Sequence, residues 1–266
     1  MENDPDLSIV IPCYHAARLA LRSVNELRDY LPQTQFSFEV IVVDDGGGDI
    51  ESLPFDDPRF RLVKLGKNCG KGAAVKAGMR EAKGQVRIFT DVDLPYGHEL
   101  FPVIVYLIRE KGFHVVIGDR TLPDSAYATE LTASRKLASG VFSFFIGRFV
   151  TGGFFDTQCG LKAFRGDVCD ELFRLSRIDR FAFDVELVYL TLKHKLDMKR
   201  IPVRLKANET SSVRIVRDSL NMLRDVLAIK YRQMKGMYAS PFLERIVSED
   251  FAQASVTAKT AKLPTP

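Results

Sequence analysis

The chain has 266 residues, 46% of them hydrophobic, and Lys+Arg 38 against Asp+Glu 34 leaves a formal charge of +4. This allows one large domain or two small ones, and so mild a basic excess gives no footprint for nucleic acid, although local basic clusters can still meet an anionic lipid or phosphate. Cys13, Cys69, Cys159 and Cys169 form no CxxC and the histidines no HxxxH, so zinc-site spacing is absent and reduced thiols of a cytosolic protein are the plain reading; the acidic start MENDPDLS is no signal peptide, and no run reaches the ~18 apolar residues of a spanning helix.

In chain order, Leu7–Tyr14 is a near-continuous apolar run, the pattern of a strand buried on both faces. Ala16–Leu31 has helical spacing and stops at Pro32. Glu39–Val43 reads as a second strand running into Asp44-Asp45 and three glycines, and Phe60–Leu65 as a third. Asn68–Val75 opens a helix that runs to about Lys83. A strand, Val86–Phe89, then leads to Asp91-Val92-Asp93. His98–Glu110 reads as helix and Val115–Ile117 as the next strand, ending in Asp119-Arg120. Such alternation predicts a doubly wound, mostly parallel sheet flanked by helices.

The second half is less regular. Leu131–Val150 is a helix candidate mixing phenylalanines with Arg135, Lys136 and Arg148, a composition that suits either the headgroup plane of a membrane or an ordinary packed helix with snorkelling charges. Phe183–Lys195 has helical periodicity, Lys199–Leu205 is a short strand, and Arg217–Met234 is a basic amphipathic helix with Leu220, Leu223, Val226, Leu227 and Tyr231 on its apolar side. From about Ser240 the periodicity fades. The expected organisation is therefore one domain over 1–239 and a largely disordered tail over 240–266.

Four of these strands end in chemically interesting residues: Pro12-Cys13-Tyr14, Asp44-Asp45, Asp91-Val92-Asp93 and Asp119-Arg120. In an open α/β sheet the carboxyl ends of the strands share one edge, and ligands bind outside it. Two carboxylates one residue apart offer hard oxygen ligands for Mg2+ or Mn2+ carrying a diphosphate; alone, the same pattern also serves as a solvated turn. Asp44 and Asp45 fit either a Gly-rich turn or acceptors for a base N–H and a ribose hydroxyl. Gly70-Lys71-Gly72 places a cation at a helix N-terminus, where anions bind. The segment is no P-loop, because Gly66 is one residue too close and Gly72 stands where Ser or Thr belongs; Val75 likewise replaces the third glycine of a dinucleotide fingerprint.

The segments SIVIPCY, VVDDGGGD, NCGKGAAVKAGMREAKG, FTDVDLP, IGDR, DTQCGLKAFR, RIDRFAFDVELVYL, PVR and VRDSLNMLRDVL, in this order over about residues 7–230, resemble the inverting family 2 glycosyltransferases of the GT-A fold. Within them the chain is most similar to the branch of dolichyl-phosphate β-glucosyltransferases and polyprenyl-phosphate sugar synthases. The resemblance implies a GT-A, Rossmann-like α/β fold with a C-terminal amphipathic helix. It also implies a metal-dependent transfer of a hexose, glucose from UDP-glucose, to a lipid phosphate; with no spanning run in the sequence, a peripheral enzyme on the cytosolic face of a membrane is the consistent expectation, although many relatives carry added membrane helices. Pro12, Tyr14, Asp44, Asp45, Lys71 and Asp91 would bind the nucleotide, and Asp91 with Asp93 the Mg2+ or Mn2+. Arg120, Arg135 and Ser139 would hold the acceptor phosphate, with Gln158 and Lys162 lining the sugar and acceptor pocket. Relatives usually read Pro-x-Tyr-Asn-Glu at the first strand end, whereas His15-Ala16 follow Tyr14 here; Thr210–Val213 lacks the lysine of their Gly-Ser-Lys-Val loop, and Arg214 could substitute. The alternative readings are transfer from a UDP- or GDP-sugar, mannose included, to a hydroxyl acceptor on another lipid or small molecule, with Asp156 the nearest base, and a nucleotide-sugar binder without turnover.

Overall fold

The structure, a computed structural model, describes residues 4–50, 56–127, 153, 156–206 and 215–260. A seven-stranded sheet is built from β1 (Leu7–Cys13), β2 (Phe38–Asp44), β3 (Phe60–Lys64), β4 (Val86–Thr90), β5 (Val115–Asp119), β7 (Leu161–Arg165) and β8 (Met198–Pro202), in the spatial order β3-β2-β1-β4-β7-β5-β8. All pairings are parallel except those of β7, which runs antiparallel to both β4 and β5. The short strands β6 (Ala126–Tyr127) and β9 (Arg204–Leu205) pair beside it.

Both faces are covered, which is why β1 and β2 read as unbroken apolar runs. The period of two sends Leu7, Ile9 and Ile11 of β1 to one face, against α1 (Ala17–Tyr30) and α3 (Phe101–Arg109). Val10 goes to the other face, with α2 (Lys71–Glu81), α4 (Gly166–Leu175), α5 (Phe183–Lys193), α6 (Ile215–Met234) and α7 (Pro241–Thr260). On α1 the buried positions Ala20, Ser23, Val24 and Leu27 repeat at helical spacing, and a 3-10 turn holding Pro32 ends it. α2 lies so close to the sheet that a side chain on Gly78 would overlap Val10 and Val43.

Pro12 sits inside a central strand, a place proline usually avoids. It is tolerated because β1 outruns β4: their pairing stops at Val10↔Phe89, and Pro12 faces only Val43 of β2.

Two expectations are corrected, and one element is added. The tail is not disordered from residue 240. Residues 241–260 form α7, whose Leu243 and Ile246 enter the core and whose Asp250 pairs with buried His114 (2.7 Å) and Arg165 (2.9 Å). Three anchors spaced over two turns were too sparse to show as periodicity. α6 buries Val226 and Ile229, but Leu227 and Tyr231, expected on the same apolar side, are 61% and 56% exposed. The helix meets the core along a narrower stripe than its composition suggests. Gly166–Leu175, not recognised as an element, is α4, with Val168, Cys169, Leu172 and Phe173 buried. The Leu131–Val150 helix candidate lies outside the described residues.

Candidate active site

The carboxyl ends of β1, β2, β4 and β5 open on one edge of the sheet, and antiparallel β7 starts at that same edge, so the turn at Asp156–Gly160 arrives beside them. The fold thereby gathers Tyr14, Asp44, Asp45, Lys71, Asp91, Asp93, Arg120 and Gln158 on one side of the molecule.

At the β1–β2 side, Tyr14 is 47% exposed and its ring lies 4.2 Å from that of His15. His15 has φ 48°, an uncommon conformation for a side chain of its size. Asp44 accepts from the backbone N–H groups of Gly47 (2.7 Å) and Gly48 (3.0 Å), and so shapes the glycine turn. Asp45 accepts from Cys69 N–H (2.7 Å) and Gly70 N–H (2.9 Å), which fastens the entry of α2 to the end of β2. The missing acid after Tyr14 has a counterpart in Asp49, which accepts from Ala17 N–H (3.2 Å) and caps α1 from across the turn. Asp49 closes the DDGGGD motif, and a helix start with Ala at the cap is the signal that an acid comes from elsewhere.

α2 begins where Gly70, at φ 104°, presses on the carbonyl of Asp179, with Gly72 against Phe183. Ala73 N–H donates to the same Asp179 carbonyl (2.9 Å) and Lys76 Nζ pairs with its carboxylate (2.9 Å). Lys71, first residue of the helix, points its ammonium at Asp91, 2.6 Å from Oδ1. The other oxygen of Asp91 lies where a side chain on Gly160 would stand. Asp93, two residues on, is half-buried; burial first, and then the charge of Asp91, hold its carboxyl above the usual range. The loop is braced by Ser23 Oγ, which donates to the Val92 carbonyl (2.5 Å), and by buried Leu94 at φ 44°.

On the β5–β7 side, Arg120 donates Nη2 and Nε to Asp156 (2.6 and 3.0 Å), and its backbone N–H also reaches that carboxylate (2.7 Å). Burial works against the charge of both groups, and the pair outweighs it, so Asp156 is held below the usual carboxylate range. Lys162 does not line an open pocket, as had been expected. It is fully buried, donating to Asp184 Oδ1 (2.6 Å) and the Cys159 carbonyl (2.8 Å) above the ring of Phe89. The reason is topological: Lys162 faces the helix layer from an interior strand of the sheet, and α5 supplies the counter-charge. Asp184 and Glu186 are the residues sequence reasoning passed over. Two acids in a helix whose residues Phe183–Thr191 are all buried were the available signal. Gln158 is half-buried in the turn before β7. Arg135, Ser139 and Arg214 lie outside the described residues.

The thiols near the site are chemically quiet: burial pushes Cys13 up to about 12 and Cys159 up to about 11.

The family model described as glycosyl transferase family 2 matches residues 8–173. Among similar proteins is the dolichyl-phosphate beta-glucosyltransferase of Drosophila melanogaster, 31% identical over 258 residues, covering 90% of this chain and 79% of the relative. Its namesakes in Dictyostelium discoideum and Homo sapiens are each 29% identical, covering 87% of this chain and 76% and 77% of their own length. A similar solved structure is glucosyl-3-phosphoglycerate synthase from Mycobacterium tuberculosis in complex with Mn2+, UDP and glucosyl-3-phosphoglycerate, with a TM-score of 0.60 at 18% identity over 85% of this chain and 78% of that one. Mannosyl-3-phosphoglycerate synthase from Rubrobacter xylanophilus aligns with a TM-score of 0.61 at 16% identity, covering 87% and 75%. These two share the fold.

Proposed function

We infer the reaction from one premise: this chain belongs to glycosyl transferase family 2, and it is a glycosyltransferase. The proposed reaction moves glucose from UDP-glucose to a polyprenyl or dolichyl phosphate, with inversion at the anomeric carbon. The observation that carries it is the gathering, at one sheet edge, of an exposed aromatic ring with acids and a lysine (Tyr14, Asp44, Asp45, Lys71), a carboxylate pair (Asp91, Asp93) and a half-buried arginine (Arg120). The names of the relatives supply the sugar and the acceptor class.

The residues present fit a divalent cation. No group of three or more His, Cys, Asp or Glu side chains that could hold a metal by itself occurs among the described residues. Asp91 and Asp93 suffice for Mg2+ or Mn2+, which typically takes one or two carboxylates and completes its shell with phosphate oxygens and water. Burial first, and then the charge of Asp91, raise the Asp93 carboxyl, and a dication between the two acids would favour its ionised form. When bound there, the metal supplies Lewis-acid neutralisation of the departing diphosphate. The fold neighbours from Mycobacterium tuberculosis in complex with Mn2+ or Mg2+ and UDP support this cofactor.

The chain's own groups do the rest. Tyr14 offers an exposed ring for the base, and the Asp44–Gly48 turn lets backbone approach the nucleoside. Lys71 meets the diphosphate from the N-terminus of α2, where anions are favoured. Arg120, whose Nε and Nη2 hold Asp156, brings a guanidinium charge to the same edge, suited to a phosphate acceptor. A phosphomonoester is already anionic near neutral pH, its second pKa being about 6, so attack needs no strong base. That point weighs against a hydroxyl acceptor, because Asp156, the candidate base, is bound to Arg120 through both oxygens and held below the usual carboxylate range.

Among the described residues no helix is long and apolar enough to cross a membrane; contact with the bilayer surface at its cytosolic face, where the acceptor phosphate lies, belongs to this proposal. Incubating the protein with radiolabelled UDP-glucose, dolichyl phosphate and Mn2+ tests it. Label is expected in an acid-labile lipid fraction; label in a mild-acid-stable glycolipid, or UDP release without lipid product, overturns the acceptor.

A further inference from the structure

Asp91 already has a cation. Lys71 Nζ stands 2.6 Å from its Oδ1, the lysine side chain 22% and the aspartate 33% exposed. The root of that lysine cannot shift: Gly70 and Gly72 on either side pack directly on Asp179 and Phe183, and Asp45 holds the N–H groups of Cys69 and Gly70. The four-carbon stem can swing while the backbone stays. Burial disfavours the charged lysine, Asp91 outweighs this, and Asp184, itself bound to Lys162, adds to the same side.

A divalent cation on Asp91 and an ammonium on the same carboxylate repel each other at close range, where little water screens them. The diphosphate of a nucleotide offers the displaced ammonium a new partner of opposite sign. Resting on the donor reading above, we propose that Lys71 is an exchangeable internal counter-ion, which holds Asp91 when no cation is bound, must leave it for a divalent cation to enter, and transfers its charge to the diphosphate, so that cation and nucleotide bind cooperatively. Lys71 in this view positions the metal ligand as well as the nucleotide. It keeps the carboxylate pair from collecting a cation when no donor is there.

Mn2+ binding followed by electron paramagnetic resonance, with and without saturating UDP, and UDP binding followed by calorimetry, with and without Mn2+, test this in the full chain. In the wild type Mn2+ alone should bind weakly, with UDP tightening it at least tenfold. Lys71→Met should bind Mn2+ alone at least fivefold more tightly than the wild type, bind UDP alone more weakly, and show a several-fold smaller coupling; Lys71→Gln, a milder neutral change, should do the same should Lys71→Met fail to fold. Neutral variants that bind Mn2+ alone no better than the wild type, or that keep its full coupling, overturn the inference. A wild type that binds both ligands independently also overturns it and leaves the donor reading standing. A wild type that binds no UDP with Mn2+ present overturns both.

Discussion

Asp93 and Gly160 lead to opposite kinds of failure. Asp93→Ala removes a carboxylate whose ionisation is unfavourable in the folded chain, so stability should hold or rise slightly while transfer falls by three orders of magnitude or more, as measured by UDP release with Mn2+. Gly160→Ala adds one methyl group where the Asp91 carboxylate now lies. The carboxylate can turn away cheaply, so melting should change little, while Mn2+-dependent turnover should drop at least tenfold. Asp91 and Asp93 were legible in the sequence because a motif at a strand end needs only local order to be seen. The partner of Lys71 was not: Asp91 is 20 residues away in the chain, and nothing local ties a helix N-terminus to the end of a different strand. Lys162 misled for a related reason. A lysine in DTQCGLKAF reads as a solvated or ligand-facing charge until α5 is seen to bring Asp184 to it.

At the scale of an element, α5 is the hub that the site rests on. Glu186, fully buried, accepts from Ser176 Oγ, Arg177 N–H and Ile178 N–H (2.8 Å each) and from the Tyr238 hydroxyl. It thereby ties the segment before Asp179 to the chain entering α7, and Asp179 in turn seats the N-terminus of α2. Glu186→Ala leaves these donors without a partner and should destabilise the protein by roughly 3–5 kcal/mol, read from chemical denaturation. It should also weaken UDP binding, because the seat of Lys71 loosens. The alternation of strands and helices through β5 was readable, since each element carries its own period. The reversal of β7 was not, because an antiparallel strand between two parallel ones has the same apolar pattern as its neighbours; only the pairing partners Thr90↔Leu161 and Ile117↔Lys162 reveal it.

Over the whole molecule, several carboxylates bind their partners more tightly when ionised. In Glu39 burial raises the pKa, but Lys83 N–H, Ser8 and Arg61 outweigh it; in Asp250 burial is outweighed by Arg165 and His114; in Glu171 the Arg174 hydrogen bond leads. Each is held below the usual range, so its contribution is present above the unfolded carboxylate values of about 3.9–4.3 and is lost as pH falls through the lower folded value. Asp184 runs the other way: burial raises it, and protonation in the folded state costs less. Burial holds the His194 imidazole below its usual range, so the unfolded chain takes up that proton first, and the sum predicts a melting temperature that eases down as pH falls below about 6.5 and declines more steeply below about pH 4, as thermal unfolding by circular dichroism can check; Glu39→Gln should make the steeper decline shallower. The reversed strand has a last consequence. Chain that departs at Arg120 comes back at Asp156 to the very same rim, and the two residues clasp each other there. That clasp fastens the end of β5 to the turn leading into β7, so this stretch of the rim is held from two strands at once.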